Sequence, residues 1–355
     1  MAVFASGSYD PDSITKYSSI TEQIPRRSIQ DPETYQLIKD SKPVVITDTN
    51  LVTSASKWDL EYLNKNLGDG LFYVYTSNDN RFKYFDNKRA EKCKSFVTPS
   101  ERHHVTFLQF LQMLKRCART KEKVYLQQTL NDSVGTNIVT DFLQFNWDWV
   151  NKCQAAYGWG SLSSNLLLIG LEGNITPVHY DEQENFFAQI SGHKRCLLFS
   201  PDQFDCLYPH PVAHPCDRQS QVNIANPDYK KFPRFRNAHA TEAIVGPGDV
   251  LYIPMYWWHQ IESLSSSDAM DVSHPHSLQD SASIDDVMEG IPPVTISVNF
   301  WYRGTPLPDV IQYPLSPQQR VSVMRNVEKM LAAALGDAEK VGELLRTMVE
   351  GRYTQ

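Results

Sequence analysis

Residues 165–200 read NLLLIGLEGNITPVHYDEQENFFAQISGHKRCLLFS, and this stretch decides the fold class. It holds three short apolar runs, NLLLIGLE, ENFFAQI and KRCLLFS, each of strand length and separated by the Gly, Pro and Asp clusters that end strands and begin turns. The pattern returns in DVLYIPMYWWHQIES (249–263) and VTISVNFWY (294–302). Short strands between closely spaced turn signals predict a sandwich or barrel, so the expected class is mainly β with helices. A tight turn at Ser191-Gly192 predicts that ENFFAQI folds back on HKRCLLF as a hairpin. The turn Gly246-Pro247-Gly248-Asp249 predicts the launch of one apolar strand that ends at His259.

Upstream, PVVIT (43–47), LFYVYTS (71–77) and VYLQQ (124–128) read as strands, while KWDLEYLNKNLG (57–68) and TFLQFLQMLKRCAR (106–119) read as helices. The first 30 residues are polar, rich in Ser and Pro and without a sustained period, which predicts a mobile N-terminal arm (1–30). Residues 262–293 are polar, acidic and poor in large apolar side chains, and predict a long surface insertion in the domain spanning 31–315. Near the end, Ser316-Pro317-Gln318-Gln319 supplies an N-cap, a Pro at the first helical position and a Gln at N3. Val321, Met324, Val327, Leu331 and Leu335 follow at helical spacing, then Gly336, then a second stripe of Val341, Leu344, Leu345, Met348 and Val349. Two helices in 316–355 are expected, the second too short to be stable unless its stripe is buried.

Composition excludes several classes. With 34 Lys and Arg against 41 Asp and Glu, the net charge of −7 offers no basic excess to nucleic acid or to an anionic membrane. No run approaches the ~18 consecutive apolar residues of a membrane span, and the start lacks the basic and apolar regions of a secretory signal. Six cysteines with no C-x-x-C argue against a disulfide scaffold and a Cys-based zinc site. These features predict a soluble intracellular protein.

Chemistry centres on His179-Tyr180-Asp181, since side chains two apart on a strand share a face and can reach one ion. About one H-x-[DE] is expected by chance in a chain with this many His and acidic residues, so context has to decide. His259 is the second imidazole candidate, with Trp257 and Trp258 as walls against bulk water. Two imidazoles and a carboxylate leave open positions suited to Fe(II) and oxygen chemistry, and zinc hydrolysis could use the same set. His103, His104, His214, His239, His274 and His276 stand in polar or loop-like contexts and are not expected to be ligands. Lys194 either meets an anion inside the barrel or reaches solvent at a hairpin end. Thr176 and Tyr125 could donate hydroxyl hydrogen bonds to the same anion.

The runs 165–222, GPGDVLYIPMYWWHQIESL (246–264) and VNFWYRG (298–304) closely resemble the asparagine-hydroxylating branch of the JmjC 2-oxoglutarate oxygenases. KPVVITDTNLV (42–52), KWDLEYL, YLQQTLND (125–132), MRNVEKML (324–331) and GRY (351–353) extend the likeness over nearly the whole chain. It implies a double-stranded β-helix, the jelly roll of cupin and JmjC proteins, with C-terminal helices that form a homodimer. It further implies Fe(II) on His179, Asp181 and His259, and 2-oxoglutarate and O2 as cosubstrates. Lys194 would then pair with the distal carboxylate of 2-oxoglutarate, helped by Tyr125 and Thr176, with Asn185 and Asn299 in the same pocket. Arg218, Gln219, Gln183, Tyr84 and Trp301 would contact the substrate. The implied activity is hydroxylation at the β-carbon of asparagine in the transactivation segment of a hypoxia-inducible factor α-subunit and in ankyrin-repeat proteins, in cytoplasm and nucleus. A histone demethylase, a hydroxylase of another residue and a binding-only jelly roll are the alternatives. Two departures stand out: Phe85 occupies a place where the family has a second Tyr, and the 39 residues between His259 and Asn299 exceed the family's short hairpin.

Overall fold

Strand pairing was traced in a computed structural model that describes residues 4, 7–93, 95–267, 288–305 and 312–353. Two sheets form. The smaller has the order β1-β11-β10-β13-β8, with β1 at Ile20–Gln23, β8 at Ile175–Tyr180, β10 at Lys194–Phe199, β11 at Ala240–Val245 and β13 at Trp258–Ser263. The larger has the order β2-β3-β12-β9-β14-β7-β6-β4-β5. Its strands are β2 Arg26–Ser28, β3 Val44–Thr47, β4 Phe72–Ser77, β5 Glu101–Val105, β6 Lys123–Thr129, β7 Leu162–Leu171, β9 Gln183–Ser191, β12 Val250–Ile253 and β14 Val294–Arg303.

Successive strands from β7 to β10 alternate between the sheets, the connectivity of a jelly roll. Period-2 alternation gives each strand of the larger sheet two faces with different duties. Val45, Tyr125, Leu168, Phe187, Leu251 and Ile253 turn inward to meet Cys196, Leu198, Ala243, Val245 and Ile261 of the smaller sheet. The alternate residues Val44, Ile46, Ile169, Phe186, Tyr252, Val298 and Phe300 join a second core with Ile38, Leu63, Phe110, Leu114, Ile138 and Val150 of the helices. Those helices are Pro32–Lys39, Leu60–Asn66, Phe107–Cys117, Thr136–Leu143 and Trp147–Tyr157. Thr106 and Gln109 close a reciprocal capping box on the third of them.

Four expectations change. The segment ENFFAQI does not form a hairpin with HKRCLLF, because β9 pairs with β12 and β14 whereas β10 pairs with β11 and β13. Gly192, at φ +69°, turns the chain from one sheet to the other, and a Cβ there would meet Thr295 at 2.9 Å. The run through DVLYIPMYWWHQIES is two strands in different sheets, broken at Pro254, which cannot donate to a ladder. The expected mobile arm is ordered over much of its length: β1 and β2 add in parallel to the edge strands β11 and β3. The sheet edges provide hydrogen-bond partners that the local sequence lacks, and Tyr17 is buried with its hydroxyl donating to Glu262 at 2.6 Å. Finally, Glu262 and Ser263 complete β13, so the break in the β pattern starts after them. Most of the expected insertion, residues 268–287, lies outside the described residues.

A second unit comprises Tyr84–Thr98, Ser200–Ala238 and Leu307–Gln355. Its helices are Asn87–Lys92, Pro317–Leu335 and Val341–Arg352. Ser316 and Gln319 cap each other's backbone N–H groups, and Gly336 ends the long helix at φ +62°.

Candidate metal centre and anion pocket

β8 and β13 run antiparallel with His179 directly opposite His259, so both imidazoles stand on one face, 4.1 Å between ring centroids. Asp181 follows β8, and its carbonyl accepts the N–H of Tyr256 at 2.9 Å. His259 Nε2 lies 3.9 Å from Asp181 Oδ2. One ligand atom from each of His179, Asp181 and His259 falls within 4.8 Å of the others, the one such cluster of His, Cys, Asp or Glu among the described residues. Each imidazole is oriented through its other nitrogen. His179 Nδ1 bonds the Pro177 carbonyl at 2.9 Å, and His259 Nδ1 bonds the Trp257 carbonyl at 3.0 Å. A carbonyl can only accept, so each Nδ1 carries a proton, and in the neutral imidazole that leaves the Nε2 lone pair for a cation. Trp301 Nε1 donates to Asp181 Oδ2 at 3.2 Å and steadies the carboxylate. Two neutral imidazoles and one anionic oxygen fit a ferrous ion, with coordination positions to spare.

The candidate anion pocket lies in the same inner layer. Lys194 is 1% exposed, which excludes a route to solvent. Its Nζ donates to Ser297 Oγ at 2.9 Å and faces the rings of Phe187 and Tyr125 at 5.3 and 5.7 Å. No carboxylate pairs with it among the described residues, and burial lowers its pKa to about 7. A fully buried ammonium without an anion is costly, so the arrangement fits a ligand that brings one. Tyr125 shares a side-chain hydrogen bond with Thr176, and burial raises its hydroxyl pKa well above the usual value. Both polar atoms of the Asn185 side chain and Oδ1 of Asn299 are buried without partners among the described residues. Trp301 faces Asn185 across the ladder, and Asn299 is two residues earlier, so all three share the inner face. These open polar atoms suit an oxygen-rich ligand.

Gln183 opens β9 on the same face as Asn185. Arg218, Gln219 and Tyr84 belong to the second unit, where Arg218 Cζ stands 5.7 Å from the centroid of the Tyr84 ring. Phe85 packs against Phe96 at 5.8 Å and offers no hydroxyl. Trp257 joins the inner apolar cluster, but Trp258 pairs with Tyr180 and Phe199 and points to the face opposite His259, so it does not wall the site. His103 is engaged by Thr76 at 2.9 Å, and His274 and His276 lie outside the described residues. Sequence reasoning missed Ser297 as the partner of Lys194. The signal was present in T-I-S-V-N-F-W, where Ser297, Asn299 and Trp301 alternate as inward polar positions on an otherwise apolar strand.

Glu184 was missed as well. It points away from the site into the helix-covered core, where its Oε2 accepts the Tyr252 hydroxyl at 2.7 Å and the Met255 N–H at 3.1 Å. It thereby pins the Pro254–Trp257 turn that carries the chain into β13 and His259. Burial raises its pKa from 4.5 to about 7, despite those two hydrogen bonds. The folded state therefore binds more protons than the unfolded state between these values, and stability falls as pH rises through that window. The cost at pH 8 is about 3 kcal/mol at ~1.4 kcal/mol per pKa unit. Glu184→Gln should flatten the dependence of urea-unfolding stability between pH 5 and 7 and stabilise the fold at pH 8. A variant with the wild-type pH slope would assign that slope to other groups.

The profile of the cupin-like domain matches residues 31–307. "JmjC domain-containing protein D" of Dictyostelium discoideum is 44% identical over 99 residues, 28% of this chain and 22% of that protein. "Lysine-specific demethylase 8" of Danio rerio is 27% identical over 259 residues, 70% of this chain and 57% of the relative. The human "HSPB1-associated protein 1" is 31% identical over 175 residues, 49% of this chain and 28% of the relative. The chain thus covers less than two thirds of the length of each of these relatives.

Proposed function

The chain belongs to the cupin-like domain family, whose JmjC relatives point to oxygenase chemistry, and from that premise we propose an Fe(II)- and 2-oxoglutarate-dependent dioxygenase that hydroxylates the β-carbon of asparagine. The observation that carries this reading is a buried lysine that no carboxylate pairs with among the described residues, in the same inner layer as two imidazoles and a carboxylate. The finer assignment is supported by the resemblance of the quoted runs to factor inhibiting hypoxia-inducible factor. Its substrates are a transactivation segment of hypoxia-inducible factor α and asparagines of ankyrin-repeat proteins, in cytoplasm and nucleus.

When bound, Fe(II) and 2-oxoglutarate supply the oxidising power that places one atom of O2 in a C–H bond while the cosubstrate loses CO2 to become succinate. The chain's own residues do the rest. His179 and His259 present Nε2, with their rings fixed by the carbonyls of Pro177 and Trp257. Asp181 adds the anionic oxygen, held by Trp301. Lys194 neutralises the distal carboxylate of 2-oxoglutarate, Tyr125 and Thr176 donate hydroxyl hydrogen bonds to it, and Asn185 and Asn299 complete the pocket. Phe187, Leu198 and Ile261 exclude water around these groups and strengthen each charge interaction. On the strength of the resemblance, Gln183, Trp301, Arg218, Gln219 and Tyr84 are assigned as substrate contacts.

Incubating the protein with Fe(II), 2-oxoglutarate and an ankyrin-repeat peptide, then locating an added oxygen by fragmentation mass spectrometry, tests the proposal. Oxygen on an asparagine β-carbon supports it, and no product under aerobic conditions with both cosubstrates overturns it. A second reading, demethylation of lysine, is favoured by the name of the Danio rerio relative. The net charge of −7 attracts a basic histone tail as readily as it does any cationic peptide, so charge does not separate the two readings, and release of formaldehyde from a methyl-lysine peptide would identify that activity. A binding-only jelly roll would show no metal-to-ligand charge-transfer band on anaerobic addition of Fe(II) and 2-oxoglutarate.

The assembly belongs to the same proposal. In the Val341–Arg352 helix only Val341 is buried, while Leu344, Met348 and Val349 are 40–48% exposed. Exposed apolar residues at 330 and 335 on the preceding helix add to this surface. A homodimer built on the terminal helices would cover it by two-fold symmetry. Leu345→Arg is expected to yield monomers by placing an uncompensated charge in that interface, as read by sedimentation velocity. A wild type that sediments as a monomer at micromolar concentration would overturn the dimer and leave the iron site untouched.

A further inference from the structure

The second unit is assembled from three separated stretches of chain, and one carboxylate is bonded by a side chain from each of the other two. Arg325, on the Pro317–Leu335 helix, grips Asp217 with both terminal guanidinium nitrogens, Nη1 to Oδ1 and Nη2 to Oδ2, each at 2.6 Å. Arg89, on the Asn87–Lys92 helix, adds Nη1 to Oδ2 at 3.0 Å. Asp217 and Arg325 are buried. Burial alone would raise the pKa of Asp217, but the two arginines outweigh it and hold the carboxyl below its usual range. Parallel, charge-assisted bonds of this kind fix orientation as well as distance.

What that orientation serves is the next residue. Arg218 has φ +68°, in the left-handed region that a side chain other than Gly or Asn seldom adopts. Such a conformation persists when its flanks are over-determined, and both flanks are. On one side stands the gripped Asp217. On the other, Gln219 donates its N–H to the Cys216 carbonyl at 3.0 Å and accepts the N–H of His210 at 3.0 Å. The helix makes a second hold on the same loop, since Glu328, three residues after Arg325, accepts the N–H of Val212 at 2.8 Å. Arg89 also ties in the stretch that carries Tyr84, whose ring lies 5.7 Å from the Arg218 guanidinium. The side chain of Gln219 is buried, and its Oε1 has no partner among the described residues.

We propose that Asp217, gripped by Arg325 and Arg89, is the positioning residue that presents Arg218 and Gln219 to the substrate peptide, so that the Pro317–Leu335 helix controls peptide affinity. The inference rests on the reading of Arg218 and Gln219 as peptide contacts. Asp217 and Arg325 act through these neighbours and touch no reacting atom.

The test uses the full chain with Arg325→Met and Arg325→Lys, assayed over a range of ankyrin-repeat peptide concentrations. Arg325→Met should raise the peptide KM about tenfold, within the range by which a network residue modulates a site. The kcat should stay within about twofold, the signature of lost uniform binding, and 2-oxoglutarate binding should be unchanged. Arg325→Lys keeps the charge and one of the two parallel bonds, and should fall between Met and wild type. An unchanged peptide KM in Arg325→Met that still melts cooperatively would show that the ion pair only stabilises the unit, and overturn the proposal. If the Met variant does not fold, Arg325→Lys decides: a wild-type KM overturns it. A wild type that hydroxylates no peptide removes the functional reading instead. Hydrogen exchange then decides the positioning role: faster amides at Gln219 and His210 in Arg325→Lys, with β13 amides unchanged, support it, and no acceleration there overturns it.

Discussion

Asp181→Ala is expected to abolish product formation and to weaken ferrous ion binding by more than the 10–100-fold typical of losing a partner outside the coordination shell. Asp181 is the one anionic member of the cluster, and both of its neighbours depend on that charge. His259 Nε2 lies 3.9 Å from Oδ2, and the Trp301 indole N–H donates to the same oxygen. With alanine there, two neutral imidazoles remain to hold a divalent cation, and the indole is left without its acceptor. Equilibrium dialysis against Fe(II) and mass spectrometric detection of hydroxylated peptide measure the two effects separately. Near-normal hydroxylation by Asp181→Ala would exclude this cluster as the metal centre.

Lys194→Ala should instead leave ferrous ion binding intact and weaken 2-oxoglutarate binding by roughly 3–5 kcal/mol, the cost of leaving one member of a buried charge pair alone. That corresponds to a rise in dissociation constant of about two to three and a half orders of magnitude at ~1.4 kcal/mol per tenfold. A pH signature accompanies it. With burial holding the free Lys194 pKa at about 7, the ammonium is already present below that pH and no proton moves on binding. Above it, the distal carboxylate favours the protonated form, so binding takes up a proton and affinity falls as pH rises, by up to about tenfold per unit. Calorimetry at pH 8 in two buffers of different ionisation enthalpy detects that uptake, which should vanish in Lys194→Ala. Equal affinity for 2-oxoglutarate in the variant and the wild type would place the cosubstrate elsewhere.

Local chemistry made much of the chain legible. The capping boxes at Thr106 and Ser316 could be read because cap and partner stand three residues apart and need no knowledge of the rest of the fold. The strand segments around 165–200 are recognisable from apolar runs closed by turn residues, and the resemblance of long runs to the JmjC oxygenases implies a jelly roll without any strand pairing. The His179-x-Asp181 spacing likewise specifies a shared face by itself.

Pairing was a different matter. A turn between hydrogen-bonded neighbours and a corner between two sheets use the same Gly and Ser, so Ser191-Gly192 read as a hairpin although β10 lies in the facing sheet. The N-terminal strands depended on edges that exist only once β11 and β3 are in place. The same holds for Ser297 under Lys194, Trp301 on Asp181, Tyr252 on Glu184, and the two arginines on Asp217. By itself the sequence determined which short segments become strands or capped helices and which residue types could hold a cation or an anion, because those properties are set within a few residues. Tertiary structure alone decided which of them meet, because a buried charge or open hydrogen-bonding group takes its partner from whatever the packed sheets bring within about 3 Å, at any distance along the chain.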